Sequence, residues 1–487
     1  MSLYVNRIKV KVNPDFKKVI PRFFNTGETR SKTLISRVIQ MPEMEAEVLL
    51  NQLQQEFSSR YRNIRSVFEK HFNLVKHLLP ENSNGVLSDA KKLLIGSYFT
   101  MEYSLEAAAL FNPSIVEDSD QTGAGDNEKN VILSFRATGE NHISSLVFKR
   151  ATLDENAGIR VHLSGQFMSE GAITQPQLNN KAAFESLLIE TGLPTAIGKK
   201  IVDQLRENFS YREIESVLKS ELKSITSATE KKRLKYDILS MVNTGYEVDF
   251  LPGSDLSERV IFPVTFTEKN GIEDARFVRF TDEDGASRYI ATYTAYDGSF
   301  ILPHLIETKD FLHFKISPLH GKAAVNKNLA LFPRKIDGQY AMISRVDGIN
   351  NYIMFSDDLY LWETTILLQE PKYPWEFVQI GNGGSPIETD RGWLVITHGV
   401  GPMRKYCLGA CLLDLDDPAK ELGRLKEPLL IPNEEERHGY VPNVVYSCGS
   451  IIHRDKLFIP YAVSDHACSF ATIPVQELLD EILNKEQ

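Results

Sequence analysis

The chain has 487 residues, 42% hydrophobic and 25% charged, which is the balance of an ordinary globular protein with room for two or three domains and a large core. A formal charge of -10 and a pI near 5.7 argue against nucleic acid or an anionic membrane surface as a partner, and no apolar run approaches the roughly 20 residues that a membrane span requires. The segment from Met1 to Lys11 lacks the apolar stretch of a signal peptide, so a cytoplasmic protein is expected.

Residues 5–40 read as one or two strands and then an irregular basic segment with Arg22, Arg30, Lys32 and Arg37. From Glu43 to Leu79 apolar residues recur every three or four positions, the period of one long amphipathic helix or a pair, and a second helical stretch is expected over 89–108. Short β-type runs begin at Leu110. Residues 178–242 turn helical again, with capping boxes predicted at Ser210-x-x-Glu213 and Ser227-x-x-Glu230. After Tyr246 short strands joined by Gly, Asp and Asn turns continue almost to a last helix over 475–484, the pattern of an all-β sandwich, barrel or propeller. The expected division is a largely helical extension at 1–109, a first β part at 110–175, a helical insertion at 176–243 and the remaining β part at 244–487. Cys407, Cys411, Cys448 and Cys468 lack the paired spacing of a zinc site and are expected to be buried free thiols, with no metal bound.

The densest chemistry lies in Gly271-Ile-Glu-Asp-Ala-Arg276, where Glu273, Asp274 and Arg276 stand at the mouth of a strand. Asp274 is the candidate acid; the competing reading is an ion-paired strand end. Other strand ends carry Lys327 and Asn328, Arg345, Glu388, His398, Arg404 and Lys405, Glu436, and Asp465 with His466. In a propeller or barrel such segments converge on one mouth. A sugar site there would use carboxylates for proton transfer and aromatic faces such as Tyr296 or Trp393, and an anion site would use two or three of Lys327, Arg345, Arg404 and Lys405. Taken singly, His398 and His466 read as structural, hydrogen-bonded residues ahead of catalytic ones. The absence of a Gly-x-Ser-x-Gly elbow and of a Gly-Lys-Ser/Thr phosphate loop removes support from serine-hydrolase and nucleotide-hydrolase readings.

These segments occur in a shared order with further runs at 111–115, 134–137, 293–296, 330–336, 392–394, 398–400, 409–414 and 441–445, and the whole resembles glycoside hydrolase family 130, the β-mannoside phosphorylases and β-mannosidases. The resemblance implies a mainly β chain built as a five-bladed β-propeller, with the helical extension and insertion of the longer members. These helices are open to roles in oligomer contacts or as a wall of the cleft. It implies a β-linked mannooligosaccharide as substrate, inversion, no cofactor, and Asp274 as the acid acting through a sugar hydroxyl. Asn112, Arg136 and Asp465 match positions that hold the mannosyl unit, with Glu273 and Arg276 as supports. Lys327, Asn328 and Arg345 fall where phosphorylases hold phosphate, while Glu388 replaces an expected Lys and Arg404 lies near an expected His. A carboxylate at that place would repel phosphate and suit activation of water, with Glu436 as a second candidate base. Hydrolysis, with β-1,2 linkage as first choice, is therefore the favoured expectation. Phosphorolysis with inorganic phosphate as co-substrate is the alternative, and a catalytically silent carbohydrate-binding propeller is the alternative of another class.

Overall fold

The computed structural model describes residues 3–80, 87–156, 158–174, 178–190, 195–242, 245–298 and 300–484. Its β part is a series of antiparallel units, the first two of which are joined into one sheet by the parallel pair Gly271–Ser144. The first unit consists of Ala109–Glu117, Lys129–Thr138 and Ser144–Leu153, and the second of Gly271–Thr281, Ser287–Tyr296, Ile301–Thr308 and His313–Pro318. The third holds Lys327–Leu331, Tyr340–Arg345, Asn351–Ser356 and Ile366–Gln369, and the fourth Gln379–Asn382, Gly392–Val400, Tyr406–Leu413 and Glu421–Arg424. In the fifth, Val445–Tyr446, Lys456–Val463 and Ala467–Pro474 are completed by the N-terminal strand Asn6–Val12, which pairs antiparallel with Ala467–Pro474.

Hydrophobic clusters fill the space between consecutive units, because each strand alternates its faces and both faces of these sheets are covered. Phe148 of the first unit packs with Phe277, Phe311 and Phe314 of the second at ring-centroid distances of 5.5–6.0 Å. Trp362 and Phe280 sit between the second and third, Trp393 and Phe332 between the third and fourth, and Tyr461 and Leu408 between the fourth and fifth. Phe135 of the first unit meets Phe458 and Phe470 of the fifth. Hydrogen bonds follow the same succession. Phe277 N donates to Ser114 Oγ (3.2 Å), Asn328 Nδ2 to Asn382 O (3.2 Å), Tyr406 N to Asn443 O (3.0 Å) and Cys448 N to Pro113 O (2.9 Å).

Several local expectations needed correction. The basic segment is not irregular: Glu28–Gln40 is a helix that buries Ile35 and Val38. The long amphipathic stretch is two helices, Glu43–Phe57 and Ile64–Val75. The next helix stops at Tyr98, and the chain then forms the strand Thr100–Ser104, paired with Val19–Phe23. The helices of 181–240 have a core of their own around Phe209, Ile214 and Leu218. Ser210 and Glu213 form the reciprocal capping box, whereas Ser227 supplies only the hydroxyl half, accepting from Glu230 N. The predicted limits of the insertion, 176 and 243, lie outside the described residues. All four cysteines are buried and free.

Candidate active site

The five units present their chemistry by one scheme. The first strand of each carries a polar residue, giving Asn112, Asp274, Asn328, Asn382 and Tyr446 in turn. The strand that follows brings a second residue to the same end. Arg136 pairs with Phe111, Tyr296 with Gly271, Arg345 with Lys327 and His398 with Gly381, while Asp465 lies two residues beyond the Val445–Val463 pair. In the first three units the first strand is bulged at the site, between 111 and 114, 273 and 276, and 327 and 330. Each bulge holds a residue in the left-handed region, Asn112 at φ 50°, Asp274 at φ 56° and Asn328 at φ 68°. Asn and Asp tolerate that backbone better than other side chains, and a bulge re-aims the side chain it carries.

A carboxylate cluster forms at the first two units. Asn112 Nδ2 donates to Asp274 Oδ1 (2.6 Å), and Arg136 Nη1 reaches the same oxygen at 3.4 Å. Glu273 accepts from Arg136 Nη2 (2.6 Å) and from Lys327 Nζ (3.0 Å). Ser144 Oγ accepts from Arg136 Nε (2.8 Å), and the guanidinium lies over the Phe111 ring at 4.9 Å, which fixes its plane. Burial alone would raise the Asp274 pKa, but Arg136, Lys327 and the Asn112 donor hold it below the ordinary carboxylate range. Asp465 goes the other way. Burial, with Asp274 beside it, pushes its carboxyl up to about 7 against the pull of Arg136 and Arg404.

A second cluster, of cations and neutral donors, forms at the third, fourth and fifth units. Arg276 donates to Asn382 Oδ1 (2.7 Å), Asn382 O (3.1 Å) and Tyr446 OH (2.7 Å). His398 Nδ1 lies 3.0 Å from Asn382 O, which can only accept, so Nδ1 carries the proton and Nε2 accepts from Arg345 Nη1 at 3.3 Å. Burial, then Arg345 and Arg276, lowers the His398 pKa well below its usual value and keeps the ring neutral. Arg345 is itself buried, its Nε has no hydrogen-bond partner among the described residues, and burial, with Arg276, pulls its pKa down against the opposing effect of Tyr446, Tyr406 and Asp274. Among the described residues no carboxylate forms an ion pair with it. A buried guanidinium in that condition is suited to an anion that arrives from solvent.

A sequence profile of glycoside hydrolase family 130, described as beta-1,4-mannooligosaccharide phosphorylase, matches residues 247–484. The 1,2-beta-oligomannan phosphorylase of Thermoanaerobacter sp. (strain X514) is 35% identical over 232 residues, 46% of this chain and 75% of that protein. A beta-1,2-mannobiose phosphorylase of the same organism is 32% identical over 265 residues, 51% of this chain and 82% of that protein. The chain belongs to glycoside hydrolase family 130. A solved relative, the beta-1,2-mannobiose phosphorylase of Listeria innocua in complex with beta-1,2-mannobiose, is 20% identical with a TM-score of 0.45, covering 78% of this chain and 93% of that one. As a member of family 130 the protein is an enzyme, a glycosidase or a glycoside phosphorylase.

In this family-130 chain three of the residues chosen from the sequence stand apart from both clusters. Glu388 lies on the short strand Ile387–Thr389 and is half exposed. Both its oxygens accept from Arg334, at 2.7 and 2.9 Å, which places this carboxylate in a surface ion pair and not on Arg345. Glu436 is buried, but its carboxylate is occupied by Arg7 (3.1 and 3.2 Å), Tyr461 OH (2.7 Å) and Asn433 N (3.0 Å), so it is not poised as a base for water. Trp393 is wholly buried against Phe332 and offers no face to a sugar. Tyr296 is half-buried at its strand end; Arg404 is exposed and acts on Asp465 only through its charge; and His466 is exposed, with Nδ1 3.4 Å from Ala108 O. Sequence reasoning missed Ser144, Asn382 and Tyr446. Asn382 heads an Asn-Gly-Gly run after a strand and Tyr446 directly follows the 441–445 motif, but nothing in their spacing marks them as buried bridges.

Proposed function

We propose that this member of family 130 cleaves β-mannosides by phosphorolysis, with β-1,2-linked mannooligosaccharides as the first substrates, and that the five antiparallel units close into a five-bladed β-propeller around the two clusters. The observation that carries the reaction class is the buried Arg345 guanidinium, which forms no ion pair with a carboxylate among the described residues and stands opposite Lys327 in the strand register. The relatives named as phosphorylases support the same reading, and the removal of Glu388 to the surface takes away the ground on which hydrolysis was preferred. Membership of a family of enzymes argues against a silent sugar-binding propeller.

In this reading Asp274 supplies the proton. Lys327 pulls the free carboxyl down, and a phosphate dianion beside Lys327 and Arg345 offsets that pull, so the acid takes up its proton when the co-substrate is in place. The proton passes through a sugar hydroxyl to the glycosidic oxygen as the bond to the anomeric carbon breaks. A phosphate oxygen forms the new bond from the opposite face, so a β-mannoside yields α-mannose 1-phosphate. Neutral His398 holds Arg345 and adds no charge of its own. Arg345→Ala tests the assignment: hydrogen bonds to a charged group are worth about 1.5–3 kcal/mol, so KM for phosphate rises roughly ten- to a hundredfold while KM for β-1,2-mannobiose changes little. An unchanged KM for phosphate contradicts it.

A further inference from the structure

Asp465 reaches the site on an awkward piece of backbone. Ser464 and Asp465 are consecutive left-handed residues, at φ 47° and 50°, a conformation that only a firm surround sustains. Ser464 is fully buried and tied at three points: its N–H donates to Val444 O (2.8 Å), its carbonyl accepts from Val441 N (3.0 Å), and its hydroxyl donates to the main-chain carbonyl of Glu436 at 2.6 Å. Glu436 is fixed in turn. Its N–H donates to Asn433 Oδ1 (2.9 Å) and its carboxylate takes both Arg7 contacts and the Tyr461 hydroxyl. Arg7 also donates to Ile431 O at 2.6 Å, so it spans both ends of the 431–436 loop. Arg7 belongs to the strand Asn6–Val12, more than four hundred residues away in sequence, which the family profile does not cover.

Resting on the functional reading above, we infer that the N-terminal strand is a positioning element for mannoside binding, with Arg7 setting the place of Asp465 through Glu436 and Ser464. Arg7 is partly exposed, and its strand is held independently by main-chain pairing with Ala467–Pro474, so its side chain can be changed without removing the strand. Glu436, chosen from the sequence as a base, is on this account the relay.

The test compares Arg7→Ala, Arg7→Lys, Asp465→Asn and the double variant Arg7→Ala/Asp465→Asn. It uses β-1,2-mannobiose with inorganic phosphate for turnover, and calorimetry with β-1,2-mannobiose alone for binding. A small displacement of a binding group weakens it disproportionately, so Arg7→Ala raises KM and Kd for β-1,2-mannobiose roughly tenfold and leaves KM for phosphate unchanged. Arg7→Lys recovers most of the loss, and the double variant is no worse than Asp465→Asn. If Arg7→Ala does not fold, Tyr461→Phe, which removes one donor to the same carboxylate, produces the same split on a smaller scale; no split in that variant overturns the proposal. An Arg7→Ala enzyme that is less thermostable but has unaltered mannobiose binding also overturns it, as does one in which both KM values rise together. If the wild type binds β-1,2-mannobiose but does not use phosphate, the functional reading fails, while the calorimetric comparison still decides the role of Arg7.

Discussion

Asp274 occupies a left-handed backbone position between a hydrogen-bond donor and two cations, and both circumstances shape its chemistry. Asn tolerates the same backbone, so Asp274→Asn keeps the bulge while removing the proposed proton donor. General acids contribute typically 10²–10⁴-fold, and kcat is expected to fall by about that factor with the thermal midpoint little changed. A variant with near-normal kcat removes Asp274 from the acid role. Asp465 makes a separate prediction. Its carboxyl titrates at about 7 in the folded chain and near ~4 when unfolded, so between those values the folded state holds a proton that the unfolded state has lost. Its stabilisation is complete below about 4 and declines as the pH rises to about 7. Compared with Asp465→Asn, the wild type therefore loses thermal midpoint across that window, and a pH-independent difference between the two contradicts the shift. Residue types at strand ends were a fair guide to the charged cluster, since Glu273, Asp274 and Arg276 are adjacent in the chain. They could not separate Glu388 from Arg345, because which end of a strand faces the interior is decided by partners far away in sequence.

At the scale of elements, the site depends on where strands bulge and touch. Gly271 lies at φ 142°, and a Cβ there would meet Ser144 Cβ at 2.7 Å and Ser144 N at 2.8 Å. This contact joins the first and second units through the parallel pair Gly271–Ser144, and Ser144 is the residue that holds Arg136 Nε. Gly271→Ala is expected to destabilise by about 1–3 kcal/mol and to weaken mannoside binding as Ser144 is displaced, read by thermal unfolding and KM. Wild-type values in both measurements contradict the close-approach account. The bulges themselves were not legible in the sequence, since a register shift is a property of a strand pair. The strand Ile301–Thr308 carries a weak local signal, since Pro303 and His304 interrupt its apolar run, yet its neighbours on both sides supply the pairing. The helix Glu28–Gln40 was hidden by its many Lys, Arg, Ser and Thr residues, although Ile35 and Val38 lie on its buried face.

For the whole molecule, the predominance of β structure was readable from the many short runs after residue 246, while the arrangement of units emerges only from long-range contacts. The profile match begins at 247, yet Asn112 and Arg136, which contact Asp274, come from before it, and the strand that completes the fifth unit comes from residues 6–12. The candidate site is thus assembled from nearly the full span of the chain, with Glu273 and Asp274 on the second unit, Asp465 on the fifth, and Arg345, which forms no ion pair among the described residues, on the third. That separation of a proton donor from an anion-binding group is the central feature of the proposed chemistry. The most direct test is to incubate the wild-type enzyme with β-1,2-mannobiose, with and without inorganic phosphate, and to identify the products. Phosphorolysis predicts α-mannose 1-phosphate and mannose in equal amounts only when phosphate is present; release of two mannose molecules at the same rate without phosphate would contradict it.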